Sequence, residues 1–145
     1  MKSLIVYDTN YGHTRRVAEA VADGLGGRAV ATAEVRLEEL SGLDLLVAGS
    51  PIVGWKPTER MLAFLAELGR DRLKGVKAAA FDTRVKLFIH GDAAGKINRA
   101  LEAAGAEIIE PPGFFYVKGK EGPLFEGEIE KAREWAGLLK AKAGS

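Results

Sequence analysis

The chain has 145 residues, 47% hydrophobic and 28% charged, enough for one folded domain with a substantial core. A formal charge of +1 with no dense Lys/Arg block gives no support to a nucleic-acid surface, and the absence of cysteine excludes disulfides, thiolate metal sites and a cysteine nucleophile. Apolar runs such as LDLLVAGSPIVGW are too short and too interrupted by glycine to span a bilayer, and MKSLIVYD lacks a signal peptide's cleavage site, so the expected location is the cytoplasm.

In chain order, SLIVYD predicts a strand, followed by a helix in which Val17, Val21 and Leu25 share one face. RAVATAEVRL predicts a second, weaker strand and LDLLVAGS a third. PTERMLAFLAEL then predicts a helix with Pro57 in its first turn. GVKAAAFDT predicts a fourth strand, ending in a loop that begins FDTRVK. A helix over DAAGKINRALEAAG closed by Gly105, a broken strand through AEIIEPPGFFYVKG and a last helix over EGEIEKAREWAGLLKA complete the chain. Short buried strands alternating with helices require crossover connections, which argues for a parallel sheet covered on both faces within a single domain over residues 1–145.

Ligands of such sheets bind beyond the carboxyl ends of the strands, so the loops after the first, third and fourth strands are the candidate sites. The first, DTNYGHT, offers hydroxyls on Thr9 and Thr14, an amide on Asn10 and an open backbone at Gly12, all at the start of a helix. Helix-start N–H groups and the helix dipole favour an anion there. Capping by Thr14 or Asn10 is the plainer alternative, but capping needs only one such residue, and the number of donors favours a phosphate. His13 either adds charge or is solvated. Neither GxxxxGK[ST] nor GxGxxG follows the strand, so neither a P-loop nor a Rossmann site is indicated. His90 and Asp92 in FIHGDAAG read as a structural histidine and a helix cap.

The first loop resembles the flavodoxin phosphate loop, [ST]-x-T-G-x-T, with Thr9, Gly12 and Thr14 in register and Tyr11 in place of the middle threonine. This resemblance implies a five-stranded parallel sheet of order 2-1-3-4-5 with helices on both faces, binding FMN. The loop Thr9, Asn10, Tyr11, Gly12, His13 and Thr14 would wrap the phosphate without a positively charged side chain. The second loop, GSPIVGWKPTERM, would place Pro51, Ile52, Val53, Gly54 and Trp55 against the isoalloxazine ring, with either Val53 or Trp55 meeting it. By the same resemblance, the Gly54 peptide can turn over when the flavin gains an electron. Backbone donors of Asp82, Thr83 and Arg84 would meet the pyrimidine edge; the tyrosine that often covers the ring's outer face is missing, and Phe88 is close enough in sequence to contribute there.

Receiver domains and low-molecular-weight phosphatases share this fold. The first need an acidic residue where this chain has AGSPIV, and the second need a cysteine. The expected function is therefore an electron carrier, working as a monomer or weak dimer between a reductase and an acceptor protein, with no catalytic side chain. An FMN-dependent quinone reductase and a non-flavin accessory module of the same fold are the alternatives. Arg15, Arg16, Lys56, Arg60, Arg84 and Lys86 cluster in sequence around the three loops, whereas the familiar carriers are acidic.

Overall fold

Strict alternation along the strands divides the apolar residues between two faces of one sheet. The computed structural model describes residues 1–87 and 89–144; Phe88 lies outside the described residues. Its strands are β1 (Ser3–Tyr7), β2 (Arg28–Ala31), β3 (Leu45–Pro51), β4 (Lys77–Val85), β5 (Glu107–Ile108) and β6 (Gly113–Val117). Every pairing among them is parallel, in the order β2-β1-β3-β4-β5, with β6 also on β4. β5 pairs with Lys77 and Ala78, and β6 with Phe81 to Val85, so the two fill one fifth position in sequence. Pro111 and Pro112 lie between them and have no N–H to donate to the ladder, which explains the break.

On one face Leu4, Val6, Leu46, Ala48, Ala78 and Ala80 pack under α2 (Glu59–Ala66) and α3 (Ala94–Ala103). On the other, Ile5, Tyr7, Leu45, Val47, Ala79 and Phe81 pack under α1 (His13–Leu25) and α4 (Glu128–Ala143). The second face is closed by Phe81, Phe115 and Trp135, edge to face at 5.9–6.0 Å between ring centroids. The exposed edge of β6 is tied to α4 by the buried Glu128, whose Oε1 accepts from the Tyr116 N–H.

Three expectations change. The second strand stops at Ala31, and Leu37–Leu40 form a 3-10 turn that buries Leu40 instead. Pro57 precedes α2 and its cap, because Thr58 is the N-cap, its Oγ1 accepting from the Met61 N–H at 3.1 Å. The fourth strand continues through Val85, so Asp82, Thr83 and Arg84 lie inside β4, paired with Ser50 and Pro51 on one side and Phe114 to Tyr116 on the other. A polar triplet ordinarily ends a buried strand; here its side chains satisfy one another and the start of α3, as described below. Among the described residues, no helix is long and apolar enough to cross a membrane.

Candidate functional site

At the carboxyl ends of β1, β3 and β4 lies a cleft of about 450 Å³, within the size range of small-molecule sites. Thr9, Asn10, Tyr11, His13 and Thr14 line one end of it. Thr9 shapes this loop, since its Oγ1 accepts from the Gly12 N–H at 2.9 Å. Gly12 is the left-handed N-cap of α1, with φ 91°, and accepts the first helical bond from Arg16 N–H at 3.1 Å. The N–H groups ahead of Arg16 have no intrahelical carbonyl, and the positive end of the helix dipole lies there with them. Thr14 is only 2% exposed, and its Oγ1 is 2.9 Å from that of Thr83, which joins the first loop to β4.

The loop is held from behind. Asp8 accepts from Thr58 Oγ1 at 2.5 Å and from Arg60 Nε at 2.9 Å, and Arg60 Nη2 donates to Asn10 Oδ1 at 2.7 Å. The hydrogen bond from Arg60 to Asp8, and then the Asp8 charge, hold the guanidinium pKa above its ordinary value. One ion pair thus couples the first loop to the start of α2. Asp8 and Thr58 lie within DTNYGHT and GSPIVGWKPTERM, but neither was given a role from the sequence, because their contact spans 50 residues and has no local signal.

Pro51, Ile52, Val53 and Gly54 line the middle of the cleft, whereas Trp55, 58% exposed, stands outside its lining. Of the two ring-facing candidates, Val53 is the one in the cleft. Val53 and Lys56 form a two-residue turn whose central residues, Gly54 and Trp55, have φ of 59° and 71°. Positive φ at both positions is the pattern of a type I′ turn and is costly for tryptophan. The Trp55 carbonyl is anchored, accepting from Asp92 N–H at 3.1 Å and from Lys96 Nζ at 3.3 Å.

Thr83, Arg84, Val85 and His90, from β4 and the segment after it, also line the cleft. The Asp82, Thr83 and Arg84 backbones run inside the sheet ladders, and their side chains make the contacts that follow. Asp82 is fully buried and grips Arg84 in a fork, Oδ1 to Nε at 2.8 Å and Oδ2 to Nη2 at 2.6 Å. The same Oδ2 accepts from the Ala93 and Ala94 N–H groups, capping α3 from the sheet. Burial pushes the Arg84 guanidinium pKa down, but the hydrogen bonds and charge of Asp82 outweigh it and leave the pKa raised. Asp82 is not part of the cleft lining. Asp92 Oδ1 accepts from Gly95 N–H at 3.0 Å, the expected helix-capping role. His90 Nδ1 donates to its neighbour's carbonyl at 2.7 Å while its ring borders the cleft. Val117, the last residue of β6, and Lys120, beyond it, complete the lining, and no sequence motif pointed to them.

The sequence model of the Flavodoxin family matches residues 5–135. The chain is a member of the flavodoxin family. Members of this family bind FMN, and family and fold together support an FMN-binding electron-transfer role for this flavodoxin-family chain. It is 32% identical over 128 residues to a protein of Syntrophobacter fumaroxidans named "NAD(P)H dehydrogenase (quinone)", covering 86% of this chain and 56% of that one. A protein of the same name from Geotalea uraniireducens is 34% identical over 108 residues, covering 72% and 49%. The chain spans about half the length of these curated relatives. Among solved structures, oxidised Flavodoxin 2 from Bacillus cereus superposes with a TM-score of 0.81 at 22% identity, over 98% of this chain and 99% of that one.

The residues present fit FMN. A phosphate suits the helix-start N–H groups and hydroxyls of the first loop. The apolar walls of Pro51 to Val53, Val85 and Val117 suit a planar ring.

Proposed function

We propose that this flavodoxin-family chain binds FMN in the cleft and passes electrons between redox proteins in the cytoplasm, acting as one domain over residues 1–145. FMN, when bound, supplies the one- and two-electron chemistry. Thr9 to Thr14 bind and orient the phosphate, with Asp8 and Arg60 holding the loop in shape. Pro51 to Gly54 pack against the ring and exclude water, and Thr83 fixes the Thr14 hydroxyl. Asp82 acts through Arg84 and the start of α3, as a positioning residue behind the cleft wall. Trp55 and Val53, at 58% and 45% exposure, stand where a partner protein would approach the cofactor. The observation that carries this reading is the meeting of an anion-binding helix start with an apolar cleft at the strand ends.

A second reading, FMN-dependent reduction of quinones by NAD(P)H, is favoured by the names of the two curated relatives. Titration of the purified chain with FMN and riboflavin, followed by anaerobic mixing with NAD(P)H and a quinone, tests both. The carrier reading expects tighter binding of FMN than of riboflavin, with FMN reduced by a reductase protein and not directly by NAD(P)H. Direct, quinone-dependent NAD(P)H oxidation would establish the second reading, and failure to bind FMN would overturn both.

A further inference from the structure

Between β6 and α4 the chain doubles back toward the cleft. Val117 and Leu124 form an antiparallel bridge, Lys118 N–H donates to Pro123 O at 2.8 Å, and Gly122 N–H donates to Gly119 O at 2.9 Å. The tip of this turn is fastened to the first residue of α1, since His13 Nε2–H donates to Glu121 O at 2.7 Å. Gly122, with φ of 92°, lies against the same imidazole, and a Cβ there would fall 2.0 Å from Nε2. Only glycine combines that backbone angle with that closeness.

The fastening sets the position of Lys120, adjacent to the pinned carbonyl and lining the cleft together with Thr9, Asn10, Tyr11, His13 and Thr14. The other strong cation of the lining, Arg84, is held by Asp82 and Asp92. Lys120 makes no ion pair among the described residues. A phosphate monoester carries a charge of about −1.5 to −2 near neutral pH, whereas a helix start offers the equivalent of about +0.5. The first loop alone therefore leaves most of that charge unmatched, and the resemblance to flavodoxins implied no cationic side chain for it.

We propose that Lys120, carried on the turn between Val117 and Leu124 and pinned by His13, is a cationic ligand of the cofactor's phosphate. This rests on the FMN reading above. It makes the chain select the phosphorylated flavin by charge as well as by hydrogen bonding, with an affinity that falls as salt rises.

The test is fluorescence titration of the full chain with FMN and with riboflavin, at low and high salt, for wild type, Lys120→Met, Lys120→Arg and Gly122→Ala. Lys120→Met is expected to weaken FMN about tenfold at low salt, leave riboflavin unchanged and flatten the salt dependence, while Lys120→Arg retains wild-type binding. Gly122→Ala keeps the lysine but pushes the turn off His13, and is expected to show the same loss for FMN alone. Wild-type FMN binding by Lys120→Met, or equal losses for both flavins, would overturn the role of Lys120. Wild-type binding by Gly122→Ala would overturn the pinning. Wild-type protein that binds no FMN would instead overturn the reading on which the proposal rests.

Discussion

Thr14 and Asp82 show how a residue's partners decide what its removal costs. The Thr14 hydroxyl has two demands on it, the Thr83 hydroxyl at 2.9 Å and, in the proposed complex, a phosphate oxygen. A hydrogen bond to a charged group contributes roughly 1.5–3 kcal/mol, so Thr14→Ala should weaken FMN binding about ten- to a hundredfold. Its folding stability should fall by only about 1 kcal/mol, the net value of one neutral hydrogen bond. Calorimetric titration and urea unfolding of the same variant separate the two effects, and unchanged affinity would remove Thr14 from the site. Asp82 behaves differently because its charge is buried against Arg84. Asp82→Ala leaves a guanidinium without its main counter-ion and the Ala93 and Ala94 N–H groups without their acceptor, and should cost about 3–5 kcal/mol in urea unfolding. A loss under 1 kcal/mol would mean that Asp92, 3.5 Å from Arg84, suffices as partner.

At the level of elements, the turn after β3 is the informative one. Gly54 has φ of 59°, and a Cβ there would meet nothing within 4 Å, so the cost of a side chain is conformational and not steric. A residue with a Cβ in this region is disfavoured by roughly 1–2 kcal/mol. If the turn has the same shape with and without cofactor, Gly54→Ala should lower folding stability by about that amount and leave FMN affinity within roughly threefold. A fall in affinity with no fall in stability would show that the turn forms only on binding. The anchoring of the neighbouring Trp55 carbonyl by Asp92 and Lys96 supports a preformed turn. It also explains how a tryptophan tolerates φ of 71°.

For the whole molecule, stability and site are built on different parts of the sheet. The rings of Phe81, Phe115 and Trp135 join β4, β6 and α4 beneath the face covered by α1 and α4. Phe115→Ala opens a cavity at a position 1% exposed and should cost about 3–5 kcal/mol. Because Phe115 does not line the cleft, FMN affinity of the folded fraction should be unchanged. Urea unfolding followed by tryptophan fluorescence, with flavin titration of the same sample, measures both; a matching loss of affinity would mean that the core sets the shape of the cleft.

The alternation of strand and helix, the two-faced sheet and the helix opening at the first loop were legible in the sequence, because each is written locally in apolar period and in loop chemistry. The first two loops were legible as neighbours for the same reason: parallel strands deliver their ends to one side. The extension of β4 past Thr83, through Arg84 and Val85, was not legible, nor were the partners that keep Asp82 inside it. Polar residues in a buried strand depend on partners such as Ala93 and Ala94, 11 and 12 residues away, that no local pattern displays. Arg60 on Asp8, 52 residues apart in sequence, and His13 on Glu121, 108 apart, were hidden likewise. Local sequence determined which elements form and which loops carry donors. Only tertiary packing decided which charges are already matched and which side chain, Lys120, is left to face the cleft, because pairing depends on distance in space.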